Sequence, residues 1–289
     1  MERVDIAIIG SGPAGISAAI NAQIRHKSFY LFGSAALSDK VQRSELISNY
    51  PALPDISGAE LNERLTEHLK KAQIPVTEKR ITGIYKMKSC FVLLADQEEF
   101  EAKSVIIATG TEAVKPIKGE RELLGRGVSY CATCDGNLYK GKTIAVVCDN
   151  APMEEEADYL ADLAGKVYYL PLFQGGSFSA ENAETLSSPI TEVLGEQRVN
   201  GIRLKNGEEI AVDGVFFLKQ SVSPAVLLRG LETEGGHVTV NRAMETSVKG
   251  CFAAGDCTGL PYQITKAMGE GNIAAHSAFK YLSDKENVK

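Results

Sequence analysis

Two short patterns in this sequence have residue types and spacings that do chemistry. The first is Cys131-Ala132-Thr133-Cys134, the only Cys-x-x-Cys in the chain. Thiols at that spacing close a small disulfide, and the second lies ready to resolve a mixed disulfide formed by the first, which suits thiol–disulfide exchange. The alternative is half of a zinc site. A structural zinc needs a second pair of ligands, yet Cys90, Cys148, Cys251 and Cys257 form no second Cys-x-x-Cys and the four histidines are scattered. The second pattern is Gly10-Ser11-Gly12-Pro13-Ala14-Gly15, a G-x-G-x-x-G. Gly10 permits a tight turn, Gly12 lets the backbone approach a pyrophosphate, and Gly15 lets the following helix pack close, with its N-terminus facing the anion. An acid often follows about 20 residues on to hold a ribose, but Tyr30–Ser34 contains none.

These residues need elements to position them. Val4–Ile9 reads as a buried parallel strand, Pro13–His26 as a helix and Ser28–Phe32 as the next strand, together a βαβ unit. Leu61, Leu65 and Leu69 make a helical stripe in Gly58–Lys71, Pro75–Glu101 alternates like a small antiparallel sheet, and Ser104–Ala108 is a buried strand. A second βαβ unit begins at Lys142. On its helix Met153, Ala157, Leu160, Ala161 and Ala164 share one apolar face. Short strands follow at Val199–Leu204, Glu209–Val212 and Gly214–Leu218, then Gly250–Ala254 and a helix from about Tyr262 to Leu282. The pattern is α/β, with two Rossmann-like, three-layer nucleotide-binding domains, the second inserted in the first. The expected boundaries are 1–113 with 243–289, and 114–242.

With 289 residues the chain is long enough for two such domains. A net charge of −6 argues against general nucleic-acid binding, and no uncharged apolar run is long enough for a membrane span. A strand begins within a few residues of Met1, which leaves no room for a signal peptide, so a cytoplasmic protein is expected.

The blocks GSGPAG (10–15), ATG (108–110), CATCDG (131–136) and AAGDCTG…YQITKAMGEG (253–271) together resemble the low-molecular-weight thioredoxin reductases over nearly the whole chain. Members of that family have the pyridine nucleotide-disulfide oxidoreductase fold and are homodimers. The resemblance implies that Gly10, Ser11, Gly12, Pro13, Ala14 and Gly15 hold the pyrophosphate of FAD, with further contacts from Asn49, Ala108, Thr109, Gly110, Gly255, Asp256, Gln263 and Ile264. A carboxylate such as Asp256 suits a sugar-like hydroxyl chain; a turn-forming acid is its other reading. The resemblance also implies that Cys134 faces the flavin, that Cys131 attacks thioredoxin, and that Asp135 handles a thiol proton. Asp135 does so only if burial raises its pKa, and it also fits a plain helix cap.

One part of that pattern is missing. NADPH-using relatives carry a second glycine loop where this chain has Cys148-Asp149-Asn150-Ala151-Pro152-Met153, a basic cluster where it has Pro171-Leu172-Phe173, and a Gly-x-x-Pro turn where it has LKQSVSP (218–224). Asp149 puts a negative charge where phosphates would sit and is positioned to cap the helix itself. At 4 Å a like-charge pair costs ~4 kcal/mol at an effective dielectric of 20. No NADPH is therefore expected. The chain resembles a subgroup with this loss, the ferredoxin-dependent flavin thioredoxin reductases, which implies ferredoxin as donor and thioredoxin as acceptor. The alternatives are the same chemistry with another donor, NAD(P)H or free reduced flavin, and a non-enzymatic flavoprotein that binds a partner.

Overall fold

The computed structural model describes residues 3–95, 98–110, 117–120, 122–130, 132–219 and 224–286, without the side chains of Asp39, Cys134 and Glu286. The chain forms two compact units, residues 1–111 with 223–289, and residues 112–222. The first crossing falls beside the expected 113/114 boundary. The return comes earlier than the expected 242/243, because residues from 224 onward pack on the first unit. Leu228 is buried and bridges Ile84, and Ser247 Oγ donates to Gly230 O at 3.1 Å.

The first unit opens with β1 (Val4–Ile9), α1 (Pro13–Ile24) and β2 (Phe29–Phe32). Pro13 takes the first helical position, where its missing N–H costs nothing. After the short α2 (Asp39–Gln42), α3 (Gly58–Lys71) starts where Ser57 Oγ accepts the Glu60 N–H at 3.1 Å, and it buries Leu61, Leu65 and Leu69. Strands β3 (Gly83–Lys86), β4 (Phe91–Ala95) and β5 (Glu98–Ile107) follow.

The second unit contains β6 (Val128–Ser129), α4 (Ala132–Asp135), β7 (Thr143–Cys148), α5 (Glu154–Leu163) and β8 (Lys166–Pro171). It continues through β9 (Ala183–Thr185), β10 (Ile190–Leu194), β11 (Gly201–Leu204), β12 (Glu209–Ile210) and β13 (Gly214–Leu218). The first unit is completed by α6 (Pro224–Leu227), β14 (Thr233–Glu234), β15 (His237–Val238), β16 (Cys251–Ala253) and α7 (Ile264–Glu286).

In the first unit the sheet order is β2-β1-β5-β4-β3, with β16 also on β5. Strand β5 serves two neighbours along one edge. Its first half, Glu98–Ala102, pairs antiparallel with β4, and Val105–Ile107 pairs parallel with β16, while β1 runs parallel along the other edge. Helices α1 and α7 meet through small residues: Ala18, Ala22, Ala274, Ala275 and Ala278 are fully buried, and a Cβ at Gly271 would lie 2.1 Å from Ala14 O. In the second unit the order is β6-β13-β7-β8-β9, every pair parallel. Helix α5 covers one face, with Ala157, Leu160, Ala161 and Ala164 clustered with Ile144, Val146, Val167 and Phe216. A separate antiparallel sheet, β10-β11-β12, completes the unit. Among the described residues no helix is long and apolar enough to cross a membrane.

Candidate functional site

Three loops leave the C-terminal ends of the neighbouring parallel strands β1, β5 and β16, where open α/β sheets bind their ligands. In the first loop Gly10 has φ +114°, and a Cβ there would lie 2.2 Å from Ala108 O. A Cβ at Gly15 would lie 1.8 Å from Gly10 O, so α1 can pack this close only on a glycine. Ser11 turns inward and donates to Ser34 O at 2.9 Å. Gly12 differs from the other two glycines. Nothing lies within 4 Å of a Cβ built there, and no side chain caps α1. The first-turn amides of a twelve-residue helix are thus left beside open space, as an anion requires.

The second loop carries Ala108, Thr109 and Gly110. The Ala108 N–H donates to Ile9 O at 2.8 Å, Thr109 Oγ1 is buried without a hydrogen-bond partner, and Gly110 has φ +73° with open space beside it. A buried orphan hydroxyl next to a glycine turn fits a polar ligand atom. In the third loop a Cβ at Gly255 would touch Ala14 Cβ at 3.0 Å, which sets this loop against the start of α1. Helix α7 holds it there. Glu270 accepts the Gly255 N–H at 2.8 Å, and Lys266 Nζ donates to Gly255 O at 2.9 Å and to Gly259 O at 2.6 Å. Asp256 is mostly buried and paired with Lys40. Asn49 Nδ2 donates to Gln263 Oε1 at 2.6 Å, and Ile264 begins α7. The residues singled out in the first unit therefore converge, and an uncapped helix end, an orphan hydroxyl and a shielded carboxylate suit a dinucleotide with a hydroxylated chain.

Two features of this cradle have no local signature. Lys266 and Glu270 act through a loop distant from them in sequence. Glu78 likewise reaches the end of β2 from another segment, where its Oε2 accepts the Ala35 N–H at 3.4 Å.

In the second unit Cys131 lies outside the described residues, and Cys134 is described only by its backbone, in α4. Asp135 ends α4 and makes no side-chain cap; its Oδ2 accepts from Ser129 Oγ at 2.6 Å. Helix α4 rests on α5, with Ala132 buried in the α5 cluster and a Cβ at Gly136 only 3.1 Å from Leu160 Cδ2. Cys148 is fully buried at the end of β7, and burial pushes its thiol up to about 11. Burial likewise pushes the Cys251 and Cys257 thiols up to about 12.

The expectation that Asp149 caps the second helix is corrected. A 3₁₀ turn, Ala151–Met153, intervenes, and the Asp149 carboxylate instead accepts from Asn150 Nδ2. The charge at the helix start belongs to Glu154, the first residue of α5. Its Oε1 accepts from Tyr169 OH at 2.8 Å and Phe178 N at 3.2 Å, and its Oε2 from Ser177 N at 2.8 Å and Ser177 Oγ at 3.0 Å. A Cβ at Gly176 would lie 2.5 Å from Glu154 Oε1, so the segment leading to Phe178 closes directly on this carboxylate. Burial by itself raises the Glu154 carboxyl. The hydrogen bonds from Ser177, Tyr169 and Phe178 outweigh burial and hold it below its ordinary value.

The chain matches the pyridine nucleotide-disulphide oxidoreductase family over residues 4–168 and 184–271. The thioredoxin reductase of Bacillus subtilis (strain 168) is 34% identical over 300 residues, covering 97% of this chain and 95% of its own length. Among solved structures, a ferredoxin-flavin thioredoxin reductase from Clostridium acetobutylicum superposes with a TM-score of 0.89 at 48% identity, over 100% of both chains. A thioredoxin reductase from Gloeobacter violaceus gives a TM-score of 0.77 at 27% identity, covering 98% of this chain and 95% of that one. The family implies FAD, and the Gly10–Gly15, Thr109 and Asp256 loops have the groups to hold it. With its paired α/β units and a sequence similar throughout to thioredoxin reductases, the chain belongs to the pyridine nucleotide-disulphide oxidoreductase family as a thioredoxin reductase.

Proposed function

We propose that this thioredoxin reductase draws its electrons from reduced ferredoxin and uses no NADPH. The observation that carries this reading is the loop after β7: Cys148, Asn150 and Met153 stand where the first unit has Gly10, Gly12 and Gly15, Cys148 is buried, and a 3₁₀ turn, Ala151–Met153, runs directly into α5. The 48% identity to the Clostridium acetobutylicum ferredoxin-flavin thioredoxin reductase supports the same donor. The functional assembly is a homodimer. Each chain has an FAD-binding domain and an inserted domain that carries the dithiol, and the protein works in the reducing cytoplasm, where thiols are kept reduced.

FAD, when bound, supplies the store in which two single electrons are gathered for a two-electron reduction. The chain's own residues do the rest. The Cys131–Cys134 disulfide takes up two electrons and two protons to become the dithiol. The Cys131 thiolate attacks the thioredoxin disulfide and forms a mixed disulfide. Cys134 then displaces thioredoxin, releases it as the dithiol and restores the internal bridge. Asp135, oriented by the Ser129 hydroxyl, holds the proton that this exchange moves.

The test mixes the anaerobic oxidised holoprotein with NADPH, with NADH, or with reduced ferredoxin plus oxidised thioredoxin, while flavin absorbance and thioredoxin thiols are followed. Ferredoxin is expected to bleach the flavin and yield reduced thioredoxin, and Cys131→Ser to abolish the second signal. Stoichiometric bleaching by NADPH at micromolar concentration would overturn the donor assignment. Unchanged thioredoxin reduction by Cys131→Ser would overturn the dithiol assignment.

A further inference from the structure

The segment between β2 and α3 joins the first loop of the cradle to the third. Its start is tied to the glycine loop: Ser11 Oγ donates to Ser34 O at 2.9 Å and lies 3.4 Å from Leu37 O. Asn62, on α3, donates through Nδ2 to Ala36 O at 2.7 Å and to Gln42 Oε1 at 3.1 Å. Val41 is buried, and a Cβ at Gly58 would lie 1.8 Å from Val41 O, so α2 sits directly on the start of α3. Three further contacts reach the third loop and α7. Lys40 Nζ donates to Asp256 Oδ2 at 2.5 Å, Asn49 Nδ2 to Gln263 Oε1 at 2.6 Å, and Tyr50 OH to Met268 Sδ at 3.1 Å. The Lys40 ammonium also lies 4.7 Å from the centre of the Tyr262 ring, whose hydroxyl is 2.6 Å from His237 Nε2. The Lys40 side chain is 61% exposed and that of Asp256 only 14%. Left-handed non-glycine residues flank the part that reaches across, Leu37 at φ +62° before it, Ala52 at φ +68° and Asp55 at φ +56° after it. Such backbone is strained for residues with a side chain, and a hinge consists of a few positions that absorb a change in φ and ψ.

We infer that residues 38–51 form a strap across the cradle of Gly10–Gly15 and Asp256, latched by Lys40 on Asp256 and by Asn49 on Gln263, and that FAD enters and leaves when this latch opens. The inference rests on the reading of those loops as the FAD cradle. Lys40 is the exchangeable part of the latch, since a long, exposed lysine gives up an ion pair to water at little cost. The third loop does not depend on it. Lys266 and Glu270 hold Gly255 from α7, so opening moves the strap and leaves the loop in place. The latch also has a kinetic sign of its own. A cation that merely attracts the anionic cofactor speeds its arrival, so its removal slows uptake. A latch delays entry, so its removal speeds uptake.

The experiment compares the full-length wild type with Lys40→Met. Release is followed as exchange of bound FAD for excess isotope-labelled FAD, and uptake as the change in FAD fluorescence on mixing with the apoprotein. Both rates are expected to rise by roughly three- to tenfold in Lys40→Met, so that the equilibrium affinity moves by less than either rate. Faster release with uptake unchanged or slowed makes Lys40 an ordinary contact and overturns the strap, as do two unchanged rates. Should Lys40→Met fail to fold, Asn49→Ala decides by the same pair of rates, each expected to rise by roughly threefold. The cradle is tested apart from the strap. If the wild-type apoprotein takes up no FAD, or Gly12→Asp takes it up as wild type does, the reading of the cradle fails and the strap with it. A failure of the strap alone leaves FAD uptake and its loss in Gly12→Asp intact.

Discussion

The two βαβ units of this chain share one frame and treat the start of the helix in opposite ways. In the first, Gly12 leaves open space beside the uncapped end of α1, and Thr109 keeps a buried hydroxyl without a partner. In the second, the corresponding stretch has no glycine. Cys148 is buried, a 3₁₀ turn replaces the glycine loop, and Glu154 brings its own carboxylate to the start of α5, satisfied by four hydrogen bonds. A helix N-terminus attracts negative charge wherever it finds it. The difference lies in whether the chain leaves that attraction for a ligand or meets it internally. The second unit keeps a parallel sheet, the helix α5 packed on it and the Cys-x-x-Cys segment.

The sharpest way to break this contrast is to give the open cradle the charge of the closed one. Gly12 has φ −78°, and a Cβ built there meets nothing within 4 Å, so Gly12→Asp is accepted by the fold. A carboxylate at that place repels the pyrophosphate by ~4 kcal/mol at an effective dielectric of 20. FAD affinity is expected to fall by at least a hundredfold with the melting temperature of the apoprotein unchanged, read from the flavin-to-protein absorbance ratio and a reconstitution titration. Retained flavin would mean that the cradle is not where the anion sits.

A second test concerns Cys148, at the head of the closed loop. Its thiol is pushed up to about 11 by burial, so at pH 8 little thiolate exists. Alkylation in the native protein is expected to run roughly a hundredfold slower than for a free thiol near 8.5. Labelling with iodoacetamide followed by peptide mapping measures this, and rapid modification would show the second loop to be open.

The smallest effect belongs to Glu154→Gln. The neutral amide is a weaker acceptor for the Ser177 and Phe178 amides, and the melting temperature at pH 7 is expected to drop by roughly 5 °C. The wild-type carboxyl lies below its ordinary value of 4.5. Its contribution is therefore fully present above about pH 4.5 and is lost as pH falls through the lower folded value. The gap between the two proteins should narrow as pH falls below 4.5 in thermal scans, and a gap constant with pH would remove the charge from the explanation. Neutralising Glu154 alone is not expected to create NADPH binding, since Cys148 and Pro152 remain.

Much of this molecule was legible in its sequence. The glycine spacing at Gly10–Gly15, the buried runs of β1, β5 and β7, the apolar face of α5 and the isolated Cys-x-x-Cys all report local geometry, in which a backbone turn or a periodicity demands a residue type. The loss of the second glycine loop was equally plain, but its replacement was misread. Asp149 looked like the capping acid because it stands just ahead of the helix. No side chain caps α5; the buried acid there is Glu154, one in the run Glu154-Glu155-Glu156, and no pattern marks which member of such a run turns inward.

By itself, then, the sequence determined the two α/β frames, the glycine turn after β1 and the single Cys-x-x-Cys, since each is written in neighbouring residues. Only the tertiary structure decided that Glu154 is buried against Tyr169, Ser177 and Phe178, that Lys266 and Glu270 brace the Gly255 loop, and that Glu120 and Lys219 meet beside Tyr130. Each of these is an electrostatic contact made in the interior. Its existence depends on which distant segments exclude water around it, a property of the packed chain and not of any stretch within it.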